Sequence, residues 1–358
     1  IFGWILLIAG LVLSSLRDTQ QTCTVPPTPV SVLIPCRDAE ATLDEALASI
    51  AGQTLRTFEV VAVDDGSTDR TPDLLAAWTD RDSRMRVITT PAQGIVAALN
   101  RAAAESQGIV FARMDADDIA RPRRLERQLE HLEAKRNIAA CGTGVRYVPR
   151  SVLRDGTRRY EKWINSVATP TDIERDLFVE CPIAHPTLVV RRQAFEAIGG
   201  YRDAGWPEDY DLILRLWKAG YGLGKVPEVL LDWRDRPDRL SRQDPRYGED
   251  AFRRCKAHFI NRRVAGRPIV VWGAGPVGKA FALALQNEGH DIVAFVDLDP
   301  RKIGQIIHGA PVSPPSKIEG YSDSYVVAAV GSKKARTAIR ASLHAAGFRE
   351  PDDFCAVA

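Results

Sequence analysis

Short apolar runs alternate along this chain with segments of helical spacing. Val30–Ile34 and Phe58–Val63 are apolar runs, closed by Pro35 and by Asp64-Asp65-Gly66-Ser67. Gly108-Ile109-Val110-Phe111-Ala112 is a third. Runs of this length between turn residues predict buried strands of a parallel sheet. Between them, Ala41–Ala51 places Leu43, Leu47 and Ile50 on one side. Thr71–Trp78, with Pro72 tolerated near its start, and the Ala-rich Ile95–Ser106 also predict helices. Arg86–Thr89 adds a short strand. Strand and helix in alternation predict βαβ units and one twisted sheet, an α/β fold.

The pattern loosens after residue 120. It predicts a basic helix Arg121–Lys135, a strand Ile138–Cys141 and irregular chain to about Thr171. A strand Thr187–Val190 and helices Arg192–Ile198 and Tyr210–Ala219 follow. Arg262, Arg263, Gly266 and Pro268 mark a boundary, and a second α/β pattern starts at Ile269. The expected division is a first domain over 25–262 and a second over 266–358. Residues 1–24 open with the apolar Ile1–Leu16, short of the roughly 20 residues of a membrane span. Membrane contact and a gene-model artefact are both open readings of that segment.

A length of 358 residues suits two domains. With 45% hydrophobic and 26% charged residues, the chain is globular rather than disordered. A net charge of +2 gives no global drive toward nucleic acid. Arg234–Arg263 holds ten Lys/Arg against five Asp/Glu, an excess of five. Such a stretch suits anionic lipid, a phosphorylated acceptor or a solvated helical surface. The six cysteines are scattered without zinc spacing, which suits a reducing cytoplasm.

The chemistry starts at Asp115-Ala116-Asp117-Asp118, which closes the third apolar run. Open α/β sheets place ligands at the C-terminal ends of their strands. In extended chain Asp115 and Asp117 share a face, and two such carboxylates repel unless a cation joins them. Mg²⁺ or Mn²⁺ bridging to a diphosphate is the usual solution, and a solvated acidic turn is the alternative. Asp64-Asp65 and Glu208-Asp209 are further acidic clusters. Either can also be read as a turn or a helix cap.

Four segments then match a known family in order. They are Val32-Leu33-Ile34-Pro35, Val61 to Asp69, Arg113 to Ile119, and Pro207-Glu208-Asp209-Tyr210-Asp211-Leu212. Over about residues 30–245 the chain resembles the family-2 inverting glycosyltransferases. The resemblance implies a GT-A-type fold, a mixed, mainly parallel sheet with flanking helices. It implies a nucleotide-sugar donor, a UDP-sugar by preference, with Mn²⁺ or Mg²⁺ on Asp117 and Asp115. Asp115 would also lie near the ribose and diphosphate. Asp65 would meet the base edge, with Pro35 and Asp38 beside it. Gly94, Asn100 and Arg234 carry over as donor-binding positions, and His185 lies near the diphosphate or acceptor. Arg113 either contacts phosphate or pairs with Asp115. Asp209 is the candidate general base, held ionised by a helix N-terminus. Glu208 orients Asp209 or the acceptor. Trp233, Arg234 and Ser241 fall where the family has a mobile loop, and Arg234 and Arg239 suit a diphosphate. Arg37-Asp38 departs from the family's aromatic-Asn pattern, so base stacking and nucleotide identity stay open. The implied acceptor is a glycan or lipid-linked glycan in surface polysaccharide synthesis, met at the inner face of the membrane through peripheral contact.

The second pattern carries its own motif. Ile269-Val270-Val271-Trp272 runs into Gly273-Ala274-Gly275-Pro276-Val277-Gly278, and Asp297 closes the next strand 24 residues after Gly273. This is the dinucleotide fingerprint in context: a tight turn, close backbone approach, helix packing and an acid for ribose. Only Tyr325–Val330 reads as a further strand, before the helix Lys333–Ala346. The expectation is a small Rossmann-like half-domain, similar to those that precede sugar acyltransferase domains. NAD(P) or a nucleotide-sugar at Gly273, Gly275, Gly278 and Asp297 is one reading, and a scaffold is another. Two rival functions follow: a bifunctional or NAD(P)-binding enzyme, and a non-catalytic nucleotide-sugar-binding subunit.

Overall fold

A computed structural model of the protein describes residues 29–236 and 239–358. The apolar segment expected over 1–24 lies outside the described residues. The first sheet has eight strands: β1 (Val30–Cys36), β2 (Phe58–Asp65), β3 (Met85–Thr90), β4 (Val110–Arg113), β5 (Ile119–Ala120), β6 (Ile138–Val148), β7 (Val189–Arg191) and β8 (Gly222–Arg234). Their order is β3-β2-β1-β4-β7-β6-β8-β5. The pairs among β3, β2, β1 and β4 are parallel, and β7 enters antiparallel to both β4 and β6. Helices Leu43–Ala51, Thr71–Arg81 and Ile95–Glu105 make the crossovers. This is the mixed, mainly parallel sheet with flanking helices that the resemblance implied.

The apolar runs become strands because both faces are covered. Val32, Ile34, Val61 and Val63 are all buried, and their two faces feed separate cores. The parallel register sets Cys36 beside Asp64, so the carboxyl ends of β1 and β2 share one edge.

The expected strand at 138–141 runs on to Val148, and its partner β8 is a strand the pattern did not predict. The two pair in parallel with a bulge: Thr143 faces Val226 but Gly144 faces Val229. Pro227 and Glu228 fall in that bulge, where proline's missing N–H does least damage. Gly144 has a reason to be glycine there, since a Cβ would stand 2.9 Å from the Glu228 carbonyl oxygen. The chain read as irregular also contains helices Asp155–Ser166 and Pro170–Asp176.

A second, six-stranded sheet follows: β9 (Ile269–Trp272), β10 (Ile292–Val296), β11 (Ile306–Ile307), β12 (Ala310–Ser313), β13 (Tyr325–Ala328) and β14 (Phe354–Ala356). Its order is β11-β12-β10-β9-β13-β14, parallel except at β11. It holds more strands than the sequence pattern revealed, because β11, β12 and β14 are only two to four residues long. The helix Glu249–Phe259 spans the junction. Its Cys255, Ala257 and Phe259 join a core shared by both sheets. Part of the basic stretch is therefore buried. Lys256 Nζ donates to the carbonyls of Val179 (2.8 Å) and Val357 (3.0 Å), one on each side. Among the described residues no helix is long and apolar enough to cross a membrane.

Candidate functional site

The acidic motif leaves the sheet before it can act as a strand. β4 stops at Arg113, and Asp115–Asp118 form a turn in which the Asp118 N–H donates to the Asp115 carbonyl at 3.4 Å. The expectation that Asp115 and Asp117 share a strand face is therefore corrected: the turn gathers the carboxylates. It also brings in Asp118, the last residue of the acidic motif. Oxygens of Asp115, Asp117 and Asp118 lie within 4.8 Å of one another.

Neighbours fix the turn from behind. Thr42 Oγ1 donates to the Ala116 carbonyl at 3.1 Å. Buried Arg124 donates to the Arg113 carbonyl at 2.5 Å. Arg234 donates its backbone N–H to Asp118 Oδ1 (2.8 Å), its Nε to the Asp117 carbonyl (2.8 Å) and its Nη2 to Glu45 (2.5 Å). Arg234 thus ends a strand and clamps the acidic turn, where a mobile loop was expected. Trp233 likewise belongs to β8, stacked on Tyr147 at 4.8 Å with the Arg239 guanidinium against both rings.

The three carboxylates carry more negative charge than their surroundings neutralise. Burial and then the charge of Asp115 raise Asp117 above the usual carboxylate range, despite Arg239 and Arg236. Asp118 is 1% exposed and is raised well above that range by burial and then by Asp115 and Asp117. Its Oδ2 is buried without a hydrogen-bond partner among the described residues. An orphaned carboxylate oxygen among three hard oxygen donors fits a small divalent cation such as Mg²⁺ or Mn²⁺.

Arg113 connects this turn to the second carboxylate group. Its guanidinium is buried in ion-pair contact with Asp115, and its Nε is buried without a hydrogen-bond partner among the described residues. Its charge also acts on Glu208 and Asp209, at the start of the helix Glu208–Lys218. Glu208 is 1% exposed, and its Oε2 accepts from Tyr247 Oη at 2.6 Å. His185 Nδ1 stands 3.6 Å from Glu208 Oε1, and His185 Nε2 is 2.9 Å from Tyr201 Oη. Burial and then Arg113 hold His185 well below its ordinary range, so it is neutral.

Asp209 differs from expectation. Its Oδ1 accepts from the Tyr210 N–H at 2.7 Å, but the helix end does not keep it firmly ionised. Burial and then the Glu208 charge push its carboxyl up to about 7. Two adjacent carboxylates in one apolar setting outweigh one backbone N–H.

The nucleotide edge is pre-tied. Asp65 accepts the N–H groups of Gln93 (2.7 Å) and Gly94 (2.8 Å), with Arg37 Nη1 at 3.8 Å. Gly94 sits at φ +90°, which its lack of a side chain permits. Each Asp65 oxygen keeps a second lone pair for a ligand donor. Pro35 lies in β1 opposite Val63. Asp38 is exposed at φ +46° and accepts the Thr68 N–H at 2.7 Å. Asn100 is engaged by the backbone. Its amide exchanges two 2.9 Å bonds with the Tyr201 backbone, closing the Gly199-Gly200 turn onto the Ile95–Glu105 helix. Tyr247 escaped the sequence reading because it lies 39 residues from its partner, and Asp118 was read within the acidic motif but not as a metal ligand.

In the second sheet, a Cβ on Gly278 would stand 1.7 Å from the Gly273 carbonyl oxygen, and Gly273 has φ +122°. Gly275 precedes the helix Pro276–Asn287 with open space around it. Asp297 is already engaged: it accepts from Ala274 N–H (2.7 Å), Asp299 N–H (2.9 Å) and Lys302 Nζ (2.9 Å). A separate groove of about 490 Å³ is lined by residues such as Ile138, Trp217, Tyr221, His344 and Pro351, and none of the acidic-site residues lines it.

Known proteins resemble the part of the chain that carries this site. EpsE of Bacillus subtilis (strain 168) is 29% identical over 67% of this chain and 88% of its own length. The amylovoran biosynthesis glycosyltransferase AmsE of Erwinia amylovora is 28% identical over 60% of this chain and 79% of its own. The O-antigen biosynthesis glycosyltransferase WbnJ of Escherichia coli is 27% identical, over 57% and 75%. Among solved structures, S. aureus TarS 1–349 in complex with UDP-GlcNAc aligns at TM-score 0.49 and 17% identity, over 65% of this chain and 66% of that one. The Pyrobaculum calidifontis mannosyltransferase PcManGT, solved with GDP-Man and Mn²⁺, aligns at TM-score 0.46 and 24% identity, over 66% and 63%. Residues 31–199, which include both the nucleotide edge and the acidic turn, match the family model described as Glycosyl transferase family 2.

Proposed function

We propose that the protein is an inverting, metal-dependent glycosyltransferase that moves a sugar from a nucleotide-sugar, with a UDP-sugar as the favoured donor, to a hydroxyl of a glycan or lipid-linked glycan. One observation carries this reading. Arg113 pairs with Asp115 and its charge also reaches Glu208 and Asp209, which supports placing the metal-competent turn and the carboxylate pair at one reaction centre. Asp65, Pro35 and the Gly94 backbone hold the nucleotide end. Asp115, Asp117 and Asp118 hold a divalent cation, which neutralises charge developing on a leaving diphosphate. Asp209 takes the proton of the acceptor hydroxyl as its oxygen attacks the sugar. Its carboxyl, raised to about 7, suits a base that must both accept and release a proton near neutrality. His185, held neutral, and Tyr201 line the centre through the hydrogen bond between them and add no positive charge to it.

The names of AmsE and WbnJ place those proteins in the synthesis of surface polysaccharides, and we carry that role over to this chain. Five buried cysteines without disulfides suit the cytoplasmic side, where nucleotide-sugars are made. Peripheral contact with the inner face of the membrane belongs to the same reading. The test is thermal unfolding with UDP, GDP, dTDP and NAD, each with and without Mn²⁺, on wild type and Asp117→Ala. A Mn²⁺-dependent stabilisation by a nucleoside diphosphate that vanishes in Asp117→Ala is expected. Stabilisation by NAD alone, indifferent to Asp117, would transfer the chemistry to the second sheet.

That second reading rests on the glycine turn, whose Gly273 and Gly278 admit no side chain. It makes residues 266–358 a Rossmann-like module for NAD(P) or a nucleotide-sugar at Gly273, Gly275, Gly278 and Asp297. Asp297 would have to exchange Lys302 for a ribose.

A further inference from the structure

We infer that Tyr247 is a positioning residue that decides which carboxylate of the Glu208-Asp209 pair carries the exchangeable proton. The inference rests on the reading of Asp209 as the base. Its ground is geometric. The turn Pro245–Tyr247 is built to aim one hydroxyl. Asp244 accepts the Arg246 N–H at 2.9 Å, and its other oxygen holds the Arg246 guanidinium at 2.6 Å. Arg246 is also 3.5 Å from Asp203. Tyr247 N–H closes the turn on the Asp244 carbonyl at 3.0 Å. The ring that leaves this turn delivers its Oη to Glu208 Oε2 at 2.6 Å, from a segment 39 residues away in sequence.

A hydroxyl that donates to a carboxylate favours its ionised form. Glu208 faces Tyr247, Arg246, Arg113 and His185. Of these, Tyr247 gives it the short hydrogen bond, Arg113 and Arg246 add distant positive charge, and His185 is neutral. Asp209 faces Glu208, Arg113 and Glu180, and accepts only the Tyr210 N–H. The pair therefore meets its first proton unequally. Burial raises Glu208 as well, but the Tyr247 hydroxyl favours its ionised form against that, and the charge so kept turns the first proton toward Asp209. Without the hydroxyl, Glu208 takes the first proton and no longer repels Asp209. Asp209 then stays ionised to lower pH. Groups this close exchange protons as a pair, so a change at Glu208 is read at Asp209.

The test follows Asp209 directly, with no donor or acceptor present. Full-length protein labelled with ¹³Cγ-aspartate is titrated by NMR, and the Asp209 signal is assigned by its loss in Asp209→Asn. In wild type the midpoint is expected near 7. Tyr247→Phe keeps the ring and removes the hydroxyl, and it should lower that midpoint by a unit or more. Glu208→Gln should lower it as well, and adding Tyr247→Phe to Glu208→Gln should then change nothing. An unmoved or raised midpoint in Tyr247→Phe overturns the inference, as does an equal further shift in the double variant. If Tyr247→Phe fails to fold, Glu208→Gln carries the decision, because an unmoved Asp209 there denies the interaction on which Tyr247 would act. Sugar transfer by Asp209→Asn separates the two claims. Retained transfer sinks the base assignment and leaves the titration result standing, whereas lost transfer with an unmoved midpoint sinks only the role of Tyr247.

Discussion

The two sheets present comparable edges to solvent and treat their carboxylates in opposite ways. At the end of β10, Asp297 is buried in part, yet the N–H groups of Asp299 and Ala274 and the Lys302 ammonium outweigh that and hold it below the usual range. Beyond β4, Asp117 and Asp118 are raised, and one Asp118 oxygen has no partner among the described residues. Asp209 is raised as well. A satisfied carboxylate stabilises a turn, and an unsatisfied one stores a demand for a cation or a proton. The contrast supports placing the chemistry at the first sheet, as the four ordered motifs there also do.

The contrast is most exposed to failure at Asp209. Asp209→Asn should cut transfer by about 10²–10⁴-fold, the usual contribution of a general base. A loss under tenfold in kcat would show that the raised carboxylate is incidental. Next comes the acidic turn. A nucleoside diphosphate with Mn²⁺ at about 100 times its dissociation constant should stabilise wild type by roughly 2.7 kcal/mol, and Asp118→Asn should lose most of that gain. If Asp118→Asn binds as wild type does, the orphaned oxygen is not a ligand.

Stability against pH gives a third measure, with a definite sign. An aspartate raised from 3.8 to about 7 binds its proton more tightly in the folded state. Folding is therefore favoured below the unfolded value, and that advantage drains away as pH rises from about 4 to 7. Asp209→Asn should consequently be more stable than wild type at pH 8, by up to a few kcal/mol, and the gap should narrow on acidification and close at about pH 3.5. Calorimetry at both pH values decides it, and a gap that widens on acidification contradicts the assignment.

Two glycines sharpen the other side of the comparison. Gly278→Val drives a side chain into the Gly273 carbonyl and should cost about 1–3 kcal/mol or more. Gly275→Val meets open space, so its melting temperature should hold, and any nucleotide bound by the second sheet should be lost. Smallest is Asn100→Ala, which should cost about 1–3 kcal/mol by freeing the Tyr201 backbone and should leave nucleotide affinity within threefold. A larger loss of affinity at unchanged stability would return Asn100 to the donor site.

The sequence made β1, β2 and β4 legible because their burial on both faces writes itself as continuous apolar runs. It hid β8 because Gly222, Gly224 and Pro227 punctuate that strand as a loop would be. Their purpose appears only in register: a bulge takes up Pro227, and Gly144 makes room for the Glu228 carbonyl. The site shows the same division. Asp115, Asp117 and Asp209 were legible through ordered motifs. Asp118 joins them through a turn that strand alternation does not describe, and Tyr247 through a hydrogen bond across 39 residues. The charge state of Asp209 could not be read locally, because a helix N-terminus argues for a low value and burial beside Glu208 overrules it.

The ammonium of Lys256 also constrains the order of events during synthesis. It is buried on two carbonyls, one from Val179 and one from Val357. Until residue 357 leaves the ribosome, half of that seat is missing, and a naked ammonium would stand beside the segment that carries Glu180. The catalytic half is made first and finished last. A nascent chain halted before β14 should therefore hold the helix Glu249–Phe259 less firmly against the first sheet.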